Sequence, residues 1–149
     1  MSDAPARGSI AVMSDTIGPP KQEAYLLQSQ INPFPVSGQL ELTADALRFT
    51  LDASSGQLTT LGWLEKELGI DGLRDRLKSG EAITAFELQR GQLDISWPKQ
   101  FMGSAMKVAN PGTRDWLVSL ILPSGSLYST YKTFKYRSVF KAWKSELGG

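Results

Sequence analysis

The sequence alternates apolar and polar residues with a period of two over two neighbouring segments. The apolar positions are Leu40 and Leu42 in the segment Gly38–Thr43, and Leu47, Phe49 and Leu51 in the segment Ala46–Asp52. Successive side chains of a strand point to opposite faces, so this alternation is typical of half-buried strands. Asp45 lies in the short connection, where an aspartate side chain can hydrogen-bond to its own backbone. The two segments therefore predict a β-hairpin.

The same alternation returns in the second half of the chain and continues almost to its end. Its apolar residues are Phe86 and Leu88, then Leu93, Ile95 and Trp97, then Met106 and Val108, then Trp116, Val118, Leu120 and Leu122, and finally Leu127 and Tyr131. Short strands at this spacing, separated by turn residues, indicate a barrel or a sandwich.

The stretch between these two groups of strands has a helical period instead. Its recurring apolar residues are Leu61, Leu64 and Leu68. The pattern predicts a helix that Gly69 ends, because glycine readily adopts the left-handed conformation of a helix C-terminus. A second short helix is predicted from Asp71, a favourable N-cap, to about Lys78. We expect a small helical insertion near residues 60–79.

The last segment carries the clearest helical pattern of the chain. Its apolar residues fall at i, i+3, i+4, i+7 and i+11, namely Tyr136, Val139, Phe140, Trp143 and Leu147. They form one broad apolar stripe, whereas Arg137, Lys141 and Lys144 lie away from it. The segment is therefore predicted to be an amphipathic helix that ends at the terminal glycines.

The N-terminal part of the chain is the least patterned. Residues 1–22 are small, polar and interrupted by glycine and proline, so we expect a flexible tail. The segment Glu23–Ile31 has the propensity of a short helix, but Asn32–Pro35 is a loop that no helix crosses. We assign Glu23–Ile31 to a strand and residues 23–149 to a single domain.

Two residue types are missing, and this limits the chemistry of the chain. Among its 149 residues there is no cysteine and no histidine, which excludes disulfides, thiolate chemistry and imidazole-based proton transfer or metal ligation. Hydrophobic residues make up 41 %, enough to bury an ordinary core. No apolar stretch approaches the roughly 20 residues that span a bilayer. We expect a cytoplasmic protein without a cofactor.

Sequence signatures of enzymes are also missing. The chain has no P-loop, no Rossmann glycine motif and no Gly-x-Ser-x-Gly elbow. Two pairs of acidic residues, Glu65 with Glu67 and Asp71 with Asp75, lie in the helical insertion, where solvated surface charge explains them. An enzyme that uses carboxylate, lysine, tyrosine or serine groups remains an alternative, because facing carboxylates are a property of the folded chain.

The net charge of +1 is unevenly distributed along the chain. Residues 1–88 hold seven basic and 12 acidic residues, a net charge of −5, whereas residues 90–149 hold nine basic and three acidic residues, a net charge of +6. A solvated surface explains this distribution, and so does a basic face for an anionic partner such as lipid headgroups.

The connection after Trp97 combines large apolar residues with a base. Phe101 and Met102 follow Lys99, and Lys107 and Arg114 lie in the same part of the chain. Apolar residues at a loop tip beside a base suit a membrane interface or a protein partner. The alternative is that Phe101 and Met102 fold back and join the core. We take these five residues as the candidate surface for a partner or an anion.

The order of the predicted elements resembles the pleckstrin-homology superfold. The segment Gly38–Phe49, with the sequence GQLELTADALRF, is similar to a hairpin that recurs in its GRAM and bacterial branch, and Trp143 matches an aromatic of its last helix. The resemblance implies a partly open barrel of about seven antiparallel strands that the C-terminal helix caps. Phosphoinositide-binding members resemble one another in a basic first hairpin loop, and Ile31–Ser37 here contains no lysine or arginine.

These observations predict a mainly β, pleckstrin-homology-like binding module without enzymatic activity, which engages a protein or an anionic membrane surface. A carrier that encloses a small molecule is the alternative, although a barrel of this size usually fills with its own side chains. Aromatic and basic residues also interleave over residues 128–137. Strand alternation and the helical stripe explain them, so no nucleic acid is expected.

Overall fold

The part of the chain that the structure describes forms one curled antiparallel sheet with three α-helices. A computed structural model describes residues 18–29, 34–57, 60–99, 104–110, 114–121 and 136–147. Its strands are β1 (Lys21–Leu27), β2 (Val36–Leu42), β3 (Ala46–Leu51), β4 (Ile83–Gln89), β5 (Ile95–Ser96), β6 (Ala105–Val108) and β7 (Trp116–Ser119), and its helices are α1 (Leu61–Leu68), α2 (Leu73–Lys78) and α3 (Arg137–Leu147). The sheet is a half-barrel, which confirms the predicted mainly β, partly open barrel with a helical insertion and a C-terminal helix.

The strand order of the sheet is β4-β3-β2-β1-β7-β6-β5. The first and last of the described strands, β1 and β7, therefore pair in the middle of the sheet, with Tyr25 opposite Ser119 and Leu27 opposite Leu117. Among the described strands, β4 and β5 lie at the two edges of the sheet. Strand β5 is shorter than its predicted pattern of Leu93 to Trp97, and the predicted strand of Leu127 to Tyr131 lies outside the described residues.

Strands β2 and β3 form the predicted hairpin. Leu40 lies opposite Phe49, and both side chains are fully buried. The hydroxyl of Thr43 accepts hydrogen bonds from the amides of Asp45 and Ala46, 3.2 and 2.9 Å away. Thr43 therefore provides the side-chain hydrogen bonds of the turn, in place of the aspartate that the sequence suggested.

A glycine in β2 lets the sheet bring an aromatic ring close to the backbone. A Cβ atom on Gly38 would lie 2.4 Å from Cε1 of Phe49 and 2.7 Å from the carbonyl oxygen of Thr50. Both distances are far below van der Waals contact, so only glycine fits here. The Phe49 ring in turn stacks on Phe86, and Phe86 on Trp116, with centroid separations of 6.1 and 5.5 Å.

The helical insertion forms as predicted at α1 but begins differently at α2. Gly69 ends α1 in the left-handed conformation, with φ of 67°. The predicted N-cap of the next helix, Asp71, is wrong, because the cap position is Gly72 with φ of 70° and no side-chain hydrogen bond. The turn brings the Leu73 amide instead to the Glu65 carboxylate of α1, where the N–H donates to Oε2 over 2.9 Å.

Helix α3 packs its predicted apolar stripe against the sheet. Phe140 and Trp143 are buried, and Tyr136, Val139 and Leu147 pack partly buried against the same core. The Trp143 indole reaches Gln22 at the start of β1. The predicted boundary between a flexible tail and the domain, after Gln22, therefore falls inside β1.

The opposite face of the sheet carries a second, smaller cluster. Leu27, Ala105 and Leu117 are buried together on β1, β6 and β7, and Tyr25 packs against them. Burial, reinforced by the nearby Glu23 and Tyr136, raises the pKa of Tyr25 from 10 to about 12. The phenol is therefore kept neutral by its surroundings well above its usual range.

Candidate binding surfaces

One side of α3 carries three basic residues in a row. Arg137, Lys141 and Lys144 fall at i, i+4 and i+7, so they share a stripe that extends about 10 Å along the helix. Each basic residue directly follows a residue of the apolar stripe, namely Tyr136, Phe140 or Trp143. One position corresponds to about 100° of rotation around a helix, so the basic stripe runs alongside the apolar stripe. Packing of the apolar stripe on the sheet thus fixes the direction in which the basic stripe points.

A tryptophan connects this stripe to the segment after β5. The Nζ atom of Lys144 lies 5.3 Å from the centre of the Trp97 ring, a cation–π geometry that holds the ammonium group in place. Trp97 is half-buried, and its Nε1–H has no acceptor in the part of the chain that the structure describes. Lys99 follows two residues later and is exposed. We call Lys99, Arg137, Lys141 and Lys144 the basic surface.

The basic surface is not neutralised by its neighbours. Across the described ranges, none of its four residues forms a salt bridge. Elsewhere, Arg48, Arg76 and Arg90 pair with glutamates at 2.8, 2.5 and 3.9 Å. The acidic residue of α3, Glu146, is the partner of Arg90. The charges of Arg137 and Lys141 are therefore directed at solvent, whereas Lys144 is half-buried beside Trp97.

The structure places the five predicted surface residues in different surroundings. Lys99 belongs to the basic surface. Lys107 is exposed on β6 and pairs with Asp115 at 3.8 Å. Arg114 lies beside the C-terminal end of β1 and contacts α1. Phe101 and Met102 lie outside the described residues. Of the three residues that the structure describes, Lys99, Lys107 and Arg114, only Lys99 forms no salt bridge with another described residue and belongs to the basic surface.

A second surface lies where α1 meets the loop between β1 and β2. The Nε1–H of Trp63 donates to the Phe34 carbonyl oxygen over 3.0 Å. Arg114 lies over the ring of Trp63, with its guanidinium carbon 5.4 Å from the ring centre. It also pairs with Glu67 at 3.5 Å and donates a hydrogen bond to the Gln28 carbonyl oxygen.

A surface pocket of about 570 Å³ opens beside Trp63 and Arg114. It is lined by Gln28, Gly62, Trp63, Glu65, Lys66, Glu67 and Arg114. Phe34 lies next to it and is 47 % exposed, the one large hydrophobic side chain of the described residues that is exposed. We call Phe34, Trp63 and the pocket the Phe34 surface.

The acidic pairs of the helical insertion have structural partners. Glu65 caps α2, and Glu67 pairs with Arg114. Over residues 18–29, 34–57, 60–99, 104–110, 114–121 and 136–147, no three acidic residues come together as a metal site would require. The concave face of the sheet is filled by side chains such as Leu47, Leu51 and Met106, which are fully buried.

Comparison with known proteins adds no assignment. No family model matches the chain, and neither the curated proteins nor the solved structures contain a significant match. Among the described residues, none of the helices has the length and apolar character needed to cross a membrane.

The sequence contained part of the signal for these surfaces. The helical spacing of Arg137, Lys141 and Lys144 was visible, but their association with Lys99 depends on the contact between Lys144 and Trp97. Phe34 was visible only as part of a proline-rich loop. Its exposure depends on which of its neighbours the fold brings close, and residue spacing carries no signal for that.

Proposed function

We propose that this protein is a non-enzymatic binding module of the pleckstrin-homology-like type that binds an anionic membrane surface through its basic surface. The observation that carries the proposal is the row of three cations on one side of α3, with the exposed Lys99 two residues after the Trp97 that Lys144 contacts, and within the described residues none of the four is paired with a carboxylate. The order of the seven strands and the C-terminal helix supports the fold assignment.

The magnitude of the attraction suits reversible binding. A lysine or arginine near an anionic leaflet contributes about 1 kcal/mol, so four of them contribute about 4 kcal/mol, or about a thousandfold in partitioning. The attraction decays within a Debye length of about 8 Å at physiological salt. Binding of this kind is expected to be weak, peripheral and salt-sensitive, on the cytoplasmic side where anionic lipids are enriched.

Trp97 contributes to the basic surface by holding one of its cations, since the indole itself packs against the core with its N–H buried. In this surface the Trp97 ring lies beside the Lys144 ammonium group. A protein partner with an acidic face would use the same cations, and the experiment below separates the two.

Vesicle sedimentation tests the proposal with vesicles of phosphatidylcholine alone and with added phosphatidylserine. We expect binding only to the acidic vesicles, reduced at least tenfold by high salt. Lys141→Glu should reduce binding strongly. Lys78→Glu is the matched control, because it makes the same charge change at an exposed lysine of α2.

Two results would overturn the membrane proposal. One is no binding of the parent protein to acidic vesicles, in which case an acidic protein is the remaining partner for these cations. The other is equal loss of binding in Lys141→Glu and Lys78→Glu, which would show that net charge and not the basic surface attracts the protein.

A further inference from the structure

The exposed side of α3 carries two hydroxyl groups next to the basic surface. Ser138 directly follows Arg137, Ser145 directly follows Lys144, and both serines are exposed. Lys141 lies three residues after the first serine and four residues before the second, so it is the helical neighbour of both. Across the part of the chain that the structure describes, neither hydroxyl has a hydrogen-bond partner. Both hydroxyls are therefore open to modification beside an unpaired cation.

Of the two serines, Ser138 is better placed to carry a negative charge. It is the second residue of α3, whereas Ser145 lies in the last turn. A phosphate in the first turn of a helix is stabilised by the backbone amides there, and a phosphate in the last turn is repelled by the backbone carbonyl groups. Ser145 is also followed by Glu146, whose carboxylate repels a phosphate.

Ser138 lies where α3 opens most easily. The amides of Val139 and Phe140 donate to the Tyr136 carbonyl oxygen over 3.0 and 3.2 Å, and opening of the first turn breaks these two bonds. The buried residues that anchor α3, Phe140 and Trp143, both follow Ser138. Helix ends open at little cost in free energy. An open first turn presents Ser138 as an extended segment that an enzyme active site can bind while the rest of α3 stays packed.

We propose that Ser138 is a phosphorylation site and that its phosphate switches off the basic surface. The inference rests on the proposed function, because the switch acts on membrane binding. A protein kinase transfers the γ-phosphoryl group of a nucleoside triphosphate to Oγ of Ser138. The bond between the γ-phosphorus and the bridging oxygen breaks, the nucleoside diphosphate leaves, and the hydroxyl proton passes to a base of the kinase. Arg137 before the serine and Lys141 after it suit a kinase with an acidic substrate cleft.

The phosphate cancels about half of the charge of the basic surface. It brings a charge of about −1.5 to −2 at pH 7 to a surface made of four cations. Side chains three residues apart on a helix have Cβ atoms about 5–6 Å apart, so the phosphate reaches the ammonium group of Lys141. Loss of this much positive charge lowers partitioning onto an anionic leaflet by about tenfold or more.

Vesicle sedimentation tests the switch with phosphoserine incorporated at position 138 during translation. We expect this protein to bind vesicles of phosphatidylcholine and phosphatidylserine at least tenfold more weakly than the parent. The matched control carries phosphoserine at position 79, because Ser79 is also exposed and directly follows a lysine, Lys78, but at the end of α2. It should bind much as the parent does. Thermal unfolding of each protein verifies that the fold is kept.

Mass spectrometry of the protein from the cells that naturally produce it tests whether the site is used. Phosphate on Ser138 should be enriched in the soluble fraction relative to the membrane fraction.

Three results would overturn the inference while the proposed function stands. They are binding equal to that of the parent with phosphoserine at position 138, equal losses with phosphoserine at positions 138 and 79, and absence of phosphate from Ser138 in both cell fractions. A parent protein that binds no acidic vesicles instead overturns the proposed function, and the switch with it.

Discussion

The indole Nε1–H of Trp143 donates a hydrogen bond of 2.7 Å to the side-chain oxygen Oε1 of Gln22, a residue 121 positions earlier in the chain. Both side chains are buried. The amide nitrogen of Gln22 donates in turn to the Leu120 carbonyl oxygen over 3.0 Å. This buried glutamine therefore joins the C-terminal helix to the start of β1 and the end of β7.

Substitution of Trp143 by phenylalanine should reveal this bond. Trp143→Phe leaves the buried Gln22 oxygen without its donor, which costs about 1–3 kcal/mol beyond the lost volume. Trp116→Phe removes the same atoms, but the Trp116 Nε1–H has no acceptor among the described residues. Urea unfolding should show the larger loss for Trp143→Phe by about 1–2 kcal/mol. Equal losses would contradict a role for the bond.

Gly38→Ala should destabilise the sheet. The new methyl group would overlap the Phe49 ring and the Thr50 carbonyl oxygen, and overpacking of this kind costs about 1–3 kcal/mol. The control is Gly91→Ala, which meets no atom within 4 Å. The midpoint of denaturant unfolding measures both. A tolerated Gly38→Ala would mean that β2 and β3 shift apart more easily than the close contact suggests.

Glu65→Ala should cost about 1 kcal/mol of stability, the usual effect of losing a helix cap, because it removes the acceptor of the Leu73 amide. Asp71→Ala should change stability by less than about 0.5 kcal/mol, since Asp71 is exposed and does not cap α2. Thermal unfolding of the two variants compares the observed cap with the one that the sequence predicted. A larger loss for Asp71→Ala would reverse the assignment.

Tyr25 should make the protein sensitive to alkali. Its folded pKa of about 12 lies above the unfolded value of about 10, so the folded state keeps its proton longer. The stability from this difference is fully present below pH 10 and is lost as pH rises from about 10 towards 12. Denaturant unfolding across this range, with tyrosinate absorbance, should show a smaller loss for Tyr25→Phe. An identical pH dependence in the variant would contradict this origin.

Local patterns predicted most of the elements correctly, because burial on one face leaves a period in the sequence. The alternation around Leu40 and Phe49 predicted the hairpin, and the stripe through Phe140 and Trp143 predicted the last helix. Strand β5 was predicted too long, since only Ile95 and Ser96 find partners on β6.

The contacts that define the candidate surfaces were not predictable in this way. The cap of α2 comes from Glu65 on another helix, and the Phe34 loop is held by Trp63, which is 29 positions away. Such pairs depend on how elements are placed against one another. The basic surface likewise exists only because the fold brings Lys144 over Trp97.

The pairing of β1 with β7 has a consequence for synthesis of the chain. Until Trp116–Ser119 has left the ribosome, β1 is the open edge of a four-stranded sheet, with Leu26 lacking the strand that covers its side. Contacts between such distant segments form slowly, and unpaired edges of nascent sheets are prone to aggregate. We therefore expect a chain that stops before β7 to expose this unpaired edge and to aggregate more readily than the complete domain.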